Sequence, residues 1–182
     1  MIRPLYFHNP NQEGFEAIIK HLHSKNYKFI SIEELYSRLE KNDTKGKLAY
    51  ISFDDGWQGN LKLIPIIEKY NVHITIFIAV NPIMSGNFWW EFVAKKVGYT
   101  QMQNFKNLPH DEFESQLKKI KTEVADLQRS AMTIDELETI TKHPLISIQS
   151  HTINHPILTK LPDDLLDFEL SESQKQLEKI TG

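Results

Sequence analysis

Two short segments of the sequence carry carboxylates and imidazoles at spacings that suit a metal ion. Residues 52–56 (SFDDG) hold two adjacent aspartates before a glycine, and residues 150–156 (SHTINHP) hold two histidines four positions apart. A turn of helix or a tight loop brings side chains at that spacing to the same side. Two imidazoles and one carboxylate form a three-ligand site for a divalent transition metal, with open positions for water.

Asp54 and Asp55 can take different roles in such a site. Adjacent side chains on a strand point to opposite faces, but the chain turns at Gly56, so both carboxylates can reach one cavity. Either aspartate can complete the ligand set with His151 and His155, while the other takes a proton from bound water.

Each segment also has a plainer interpretation. An Asp-Asp-Gly sequence by itself is most often a solvated turn, and two histidines four apart are more often unrelated surface side chains. The combination favours a metal site, because each segment follows an apolar strand and together they supply a full ligand set.

Both segments follow apolar runs that are typical of buried parallel strands. Residues 48–53 (LAYISF) precede the aspartates and residues 145–148 precede the histidines. Functional groups of parallel α/β folds gather where strands end, so both segments are expected to face one cavity. Further strands are predicted over residues 2–7, 28–30 and 73–80, and further helices over residues 11–24, 61–68, 133–140 and 162–180.

Capping residues and apolar stripes predict the helices. Ser31 with Glu34 and Thr133 with Glu136 have the spacing of capping boxes. The helix after Ser31 and the last helix are expected to bury one apolar face each, formed by Ile32, Leu35 and Leu39 and by Leu166, Leu170, Leu177 and Ile180, respectively.

The alternation of strands and helices pauses over residues 84–130. Residues 88–98 and 109–129 are predicted as helices with a polar loop between them, and the second carries an apolar stripe of Phe113, Leu117, Ile120, Val124 and Leu127. We interpret this segment as a helical insertion within a single domain of residues 1–182, because it is too short to bury a core of its own.

The composition excludes several classes of protein. The 182 residues include 21 Lys+Arg and 24 Asp+Glu, a net charge of −3, which argues against a nucleic-acid partner. The sequence has no long apolar run and no apolar centre in its first residues, which argues against a membrane partner and a signal peptide and favours a cytoplasmic location. Zero cysteines exclude disulfides, thiolate metal ligands and a cysteine nucleophile.

Three stretches resemble the polysaccharide deacetylase family, which is built on the NodB homology domain (carbohydrate esterase 4). Residues 48–57 (LAYISFDDGW) resemble its first motif, a strand ending in T-F-D-D-G-aromatic, and residues 60–77 (NLKLIPIIEKYNVHITIF) resemble the helix and strand that follow. Residues 146–161 (ISIQSHTINHPILTKL) resemble the second motif, S-H-T-x-x-H-P. The resemblance runs from about Lys47 to Gly182, interrupted by the insertion.

The resemblance implies a fold, a reaction and a role for each site residue. The fold would be an α/β architecture, a deformed (β/α) barrel. The activity would be hydrolysis of N- or O-linked acetyl groups from an acetylated oligo- or polysaccharide, by a hydrolase acting on carbon–nitrogen bonds other than peptide bonds. Asp55, His151 and His155 would bind the divalent metal, usually zinc, and Asp54 would be the general base towards metal-bound water, the nucleophile.

The family pattern continues beyond the second motif, with an Arg-and-Pro motif, an acidic or Trp-containing motif and a late Leu-x-His that supplies the general acid. Residues 1–182 match none of these, so we expect only the N-terminal part of the barrel, with little deacetylation by itself and self-association into a homo-oligomer. Two alternatives are an inactive or carbohydrate-binding remnant of a deacetylase and a metallo-phosphohydrolase. The phosphohydrolase alternative is ranked last, because the sequence offers no basic clamp for a phosphate group near either motif.

Several other residues are weaker candidates. His8 follows the first predicted strand and can line the cavity, although a surface or structural role is favoured. Trp89, Trp90 and Glu91 can bind sugar faces, but aromatic clusters more often anchor a helix to a core. The remaining histidines lack partners at ligand spacing and are interpreted as structural: His21, His23, His73, His110 and His143.

Overall fold

A computed structural model describes residues 1–125 and 127–182. Its five strands form one parallel sheet, in which β3 pairs with β1 along its whole length, β4 pairs with β3, and β5 pairs with β4. β2 pairs with the first two residues of β3. The strands are β1 (Ile2–Phe7), β2 (Lys28–Phe29), β3 (Leu48–Phe53), β4 (Ile74–Ile78) and β5 (Ile146–Ser150). The predicted parallel α/β arrangement is therefore confirmed.

The described helices begin and end close to the predicted positions in most cases. Asn11 caps α1, Ser31 caps α2, and Thr133 and Glu136 form the predicted capping box of α8. The helices are α1 (Gln12–Ser24), α2 (Ile32–Glu40), α3 (Ile64–Lys69), α4 (Val80–Ser85), α5 (Trp89–Val97), α6 (Tyr99–Phe105), α7 (His110–Glu123), α8 (Ile134–Thr141) and α9 (Asp163–Thr181), with 3-10 turns at Gln58–Leu63 and Leu158–Lys160. No helix among these is long and apolar enough to cross a membrane.

Several predicted elements differ from the structure, including β5, which ends at Ser150 rather than at residue 148. β4 ends at Ile78 rather than residue 80, because the amides of Val80 and Asn81 begin α4 and bond the carbonyls of Thr152 and Ile153. The polar loop predicted inside the insertion contains α6, whose Met102 and Phe105 are buried three residues apart. The helix predicted over residues 109–129 ends at Glu123, and residue 126 lies outside the described residues.

Two predicted apolar positions face solvent. Leu39 of α2 is 53% exposed and Leu170 of α9 is 48% exposed. The buried positions of α9 are the predicted Leu177 and, unexpectedly, Glu169 and Ser173, which form a stripe with a spacing of four. The inner face of α9 is partly polar because Glu169 and Ser173 hydrogen-bond to the chain around the end of β5.

The buried apolar side chains form a main core, a second core inside the insertion and a small third cluster of Ile30, Leu48 and Tyr50. All six residues of β3 are buried, consistent with a central strand covered on both faces. The second core contains Trp89, Val93, Met102, Phe105, Phe113, Leu117 and Ile120. The insertion thus has a cluster of buried apolar side chains of its own, contrary to the expectation from its length, while its place inside one domain stays a prediction.

The chain leaves β3 through a tight left-handed turn. Asp55 and Gly56 have φ values of 78° and 90°, a region that favours glycine. A Cβ at position 56 would lie 2.9 Å from Ile78 Cδ1 and 3.2 Å from Ile83 Cδ1. The absence of a side chain at Gly56 lets β3, β4 and α4 pack closely behind the aspartates.

We predict that Gly56→Ala destabilises the protein by about 2–4 kcal/mol, since it combines left-handed strain with overpacking. Gly46→Ala is the matched control. Gly46 also has a positive φ, 97°, but its nearest neighbour is Leu48 Cγ at 3.9 Å, so only the strain of about 1–2 kcal/mol applies. Urea denaturation measures both, and equal losses would contradict the packing argument.

Candidate metal centre

The topology brings the two candidate segments to the same edge of the sheet. Asp54 and Asp55 follow β3, and His151 and His155 follow β5, with β4 between these parallel strands. The backbone fixes their heights: the amide of Asp54 donates to Phe7 O at 2.8 Å, and the amide of His151 donates to Ile78 O at 2.8 Å. The carboxylates and imidazoles therefore meet above the carboxyl ends of the strands, as expected for this fold class.

Asp55, His151 and His155 lie within reach of one ion. Asp55 Oδ1 is 3.2 Å from His155 Nε2 and 3.7 Å from His151 Nε2, and one ligand atom from each residue lies within 4.8 Å of the others. Asp55 is 1% exposed and both histidines are half-buried. Among the described residues, this is the group whose geometry suits a metal.

The hydrogen bonds around Asp55 leave one oxygen for a cation. Its Oδ2 accepts a hydrogen bond from the indole Nε1 of Trp57 at 2.9 Å. In the described structure, the buried atoms Asp55 Oδ1 and His155 Nδ1 have no hydrogen-bond partner. A buried carboxylate oxygen without a partner is unfavourable unless a cation compensates it, so this donor set fits a divalent metal.

The surroundings shift the ionisation of three of these groups. Burial raises the pKa of Asp54, against the attraction of His151 and His8. Burial would also raise the pKa of Asp55, but interactions with His155 and Trp57 outweigh it and lower the pKa. Burial lowers the pKa of His151. An ionised Asp55 and a neutral His151 are the forms that bind a metal.

The loop that carries the histidines is held by Glu169 of α9. Glu169 is 6% exposed, and its Oε2 accepts hydrogen bonds from the amides of Ile153 at 2.8 Å and Asn154 at 2.9 Å. Its Oε1 accepts from Asn154 Nδ2 at 2.6 Å. The loop needs such support, because Thr152 and His155 have positive φ values of 69° and 56°.

Sequence reasoning missed Glu169. Glu169 lies between Leu166 and Leu170, which the apolar pattern assigns to the core. Its partners are two backbone amides and the side chain of Asn154, and the pattern of side chains along the helix does not indicate them. The available signal is the spacing of four that joins Glu169, Ser173 and Leu177.

A cavity of about 570 Å³ opens beside the candidate ligands. Its walls come from the ends of the strands and from α5 and α6 of the insertion: His8, Asp55, Trp57, Trp89, Trp90, Glu91, Ala94, Tyr99, Met102, Gln103, Lys106, His155 and Ile157. His8 is exposed, in agreement with the favoured surface position, and it also lines this cavity. Trp89 is buried in the core of the insertion, as expected, whereas Trp90 is half-buried on the cavity wall.

The chain is similar to one curated bacterial protein over nearly its whole length. It is 24% identical over 173 residues to a Bacillus subtilis protein named as a polysaccharide deacetylase, YxkH, covering 94% of this chain and 46% of the relative. The chain thus spans about half the length of this relative.

Solved structures share the fold at low sequence identity. The Streptococcus pyogenes deacetylase PplD, in complex with acetate, has a TM-score of 0.65 at 19% identity, over 99% of this chain and 68% of PplD. The polysaccharide deacetylase BC0361 from Bacillus cereus has a TM-score of 0.64 at 20% identity, over 100% of this chain and 48% of BC0361. IcaB from Ammonifex degensii has a TM-score of 0.67 at 14% identity, over 98% of this chain and 69% of IcaB.

The family model for polysaccharide deacetylase matches residues 41–182, a stretch that contains both candidate segments and the insertion between them. By sequence and by fold, the chain belongs to the polysaccharide deacetylase family.

Proposed function

We propose that this chain carries the metal-binding part of a carbohydrate deacetylase, which hydrolyses acetyl groups from a saccharide. In this proposal Asp55, His151 and His155 hold a divalent metal, zinc, and Asp54 is the general base. The observation that supports this proposal is that ligand atoms of these three residues lie within 4.8 Å of one another, and that the buried Asp55 has an oxygen without a hydrogen-bond partner.

Zinc suits the donor set. Two imidazoles and one carboxylate leave positions open for water and substrate, which is the pattern of catalytic rather than structural zinc sites. When bound, the metal polarises the acyl carbonyl and lowers the pKa of water. Asp55 contributes the negative charge that holds the ion, and the hydrogen bond from Trp57 fixes one carboxylate oxygen so that the other faces the histidines.

Asp54 is suited to move a proton. It lies between the end of β3 and Asp55, is half-buried and has a raised pKa because of its burial. A raised pKa makes a carboxylate a stronger base near neutral pH. Asp54 would take a proton from the attacking water while the new C–O bond forms. When the bond between the acetyl carbon and the sugar nitrogen or oxygen then breaks, that atom takes up a proton from solvent, which gives acetate and the free amine or hydroxyl.

Glu169 is a positioning residue for the ligands. It bonds the two amides between Thr152 and His155, so the carboxylate sets the path of the loop that carries both imidazoles. Residues that orient metal ligands typically change metal affinity when they are replaced.

Zinc affinity separates the two aspartates. We expect Asp55→Asn to lose more than the roughly 10–100-fold typical of residues that only orient ligands, since it removes a ligand charge. Asp54→Asn, the adjacent matched control, should bind zinc with largely unchanged affinity. Calorimetric titration with zinc gives both values. Loss of binding in Asp54→Asn with binding retained in Asp55→Asn would reverse the two roles.

Acetate release tests the base. In a version of the chain that also carries the late motifs of the family, Asp54→Asn should reduce the release of acetate from acetylated chito-oligomers by roughly 10²–10⁴-fold, the usual contribution of a positioned base. Zinc-loaded parent protein and variant are compared at equal metal occupancy, with acetate measured by an enzyme-coupled assay. Equal rates would show that another group accepts the proton.

Replacing Glu169 tests the support of the histidine loop. Glu169→Ala leaves the buried amide of Ile153 and the partly buried amide of Asn154 without an acceptor, so we expect a loss of about 2–4 kcal/mol in stability and roughly 10–100-fold in zinc affinity. Glu169→Gln keeps one acceptor oxygen and should be intermediate. Asp167→Asn, an exposed carboxylate on the same helix, is the control. Zinc affinity at the parent level in folded Glu169→Ala would show that the loop holds its shape without this carboxylate.

A further inference from the structure

Helix α6 has two faces with different surroundings. Met102 and Phe105 are buried in the core of the insertion. Tyr99, Gln103 and Lys106 are exposed and line the cavity beside the candidate metal centre. Positions 99, 103 and 106 are four and three residues apart, so they form one row along the helix surface.

The row along α6 combines an aromatic ring with hydrogen-bonding groups. Tyr99 is 71% exposed although it lines a cavity. Within the described residues, Gln103 and Lys106 have no side-chain hydrogen bond or ion pair that would occupy their donors. An open aromatic ring beside free polar groups is the composition that a saccharide needs, because a pyranose ring has an apolar C–H face and a rim of hydroxyls.

The same cavity reaches the metal centre through Trp90. Its ring stacks on Phe88 at 4.7 Å between centroids and meets the ring of His155 edge-on at 4.9 Å. The volume, about 570 Å³, is in the range of small-molecule sites, roughly 300–1,000 Å³. A ligand can therefore contact the candidate ligands and α6 at the same time.

The wall is fixed relative to the metal centre by hydrogen bonds. Trp89 Nε1 donates to His155 O at 3.0 Å. Glu91 Oε2 accepts from the amide of Phe88 at 2.8 Å and from Ser130 Oγ at 2.6 Å. Since a pre-organised surface loses little entropy on binding, the start of α5 presents its part of the wall ready for a ligand.

We propose that this cavity is a saccharide subsite, in which Tyr99 stacks on the sugar ring next to the acetylated one while Gln103 and Lys106 hydrogen-bond its hydroxyls. The inference rests on the proposed function and extends it: the insertion selects oligomers over single acetylated sugars. Trp90 forms the floor between the two sugar positions.

The experiment compares a tetramer with a monomer. Zinc-loaded parent protein and variants are titrated by calorimetry with N-acetylglucosamine tetramer and with N-acetylglucosamine, and separately with acetylated xylotetraose. Tyr99→Ala should weaken tetramer binding by roughly 3- to 10-fold, the range for one aromatic contact, and leave monomer and zinc binding unchanged. Tyr99→Phe should keep tetramer binding. Tyr36→Ala, an exposed tyrosine on α2, is the matched control.

The outcomes separate the subsite from the proposed function. Three results would overturn the subsite. They are tetramer binding at the parent level in Tyr99→Ala, an equal loss of affinity for monomer and tetramer, and no binding of either tetramer to the parent protein. The proposed function is decided independently by zinc affinity and by hydrolysis of 4-nitrophenyl acetate, a small acetate ester that does not reach α6. If the subsite is overturned but Asp54→Asn still loses zinc-dependent hydrolysis of 4-nitrophenyl acetate, the proposed function stands without the subsite.

Discussion

The structure around the carboxyl ends of the strands depends on one constraint, the burial of the Asp55 carboxylate. A carboxylate that is 1% exposed is strongly unfavourable unless hydrogen bonds or positive charge replace its water. The indole of Trp57 satisfies one oxygen, and the other faces two imidazoles. The left-handed turn after β3, the close packing against Gly56 and the approach of the histidine loop together place that second oxygen.

A second buried carboxylate solves a related problem on the other side of the site. Glu169 lies in a helix whose sequence suggests an apolar inner face, yet it is buried among amides rather than cations. Hydrogen bonds to an ionised acceptor are stronger than neutral ones, so Glu169 can hold a loop with two residues in the left-handed region. The two carboxylates thus have distinct surroundings: Asp55 has an oxygen open to a cation, whereas Glu169 accepts hydrogen bonds from two backbone amides and from the side chain of Asn154.

Sequence patterns predicted the parts of the fold whose partners are apolar. The apolar run of residues 48–53 predicts the central strand. The motifs after β3 and β5 predict that Asp55, His151 and His155 lie close together, because the ends of parallel strands share one edge of the sheet. The patterns failed where the partner is polar or distant. Leu170 was assigned to the core in place of Glu169, whose amide partners lie 15–16 residues away, and α6 was missed because its cavity-facing row is polar.

The separation of the main core from the core of the insertion has a consequence for how the protein can change. The main core contains Phe88 from the insertion but no residue of α6 or α7, and Trp90 is a half-buried ring that packs against both cores. Substitutions in sites that share no partners have nearly additive effects on stability. Mutations that reshape α6 therefore leave the scaffold of the sheet largely undisturbed, so the cavity wall can diversify among descendants of this chain while the strands that carry the aspartates and histidines stay the same.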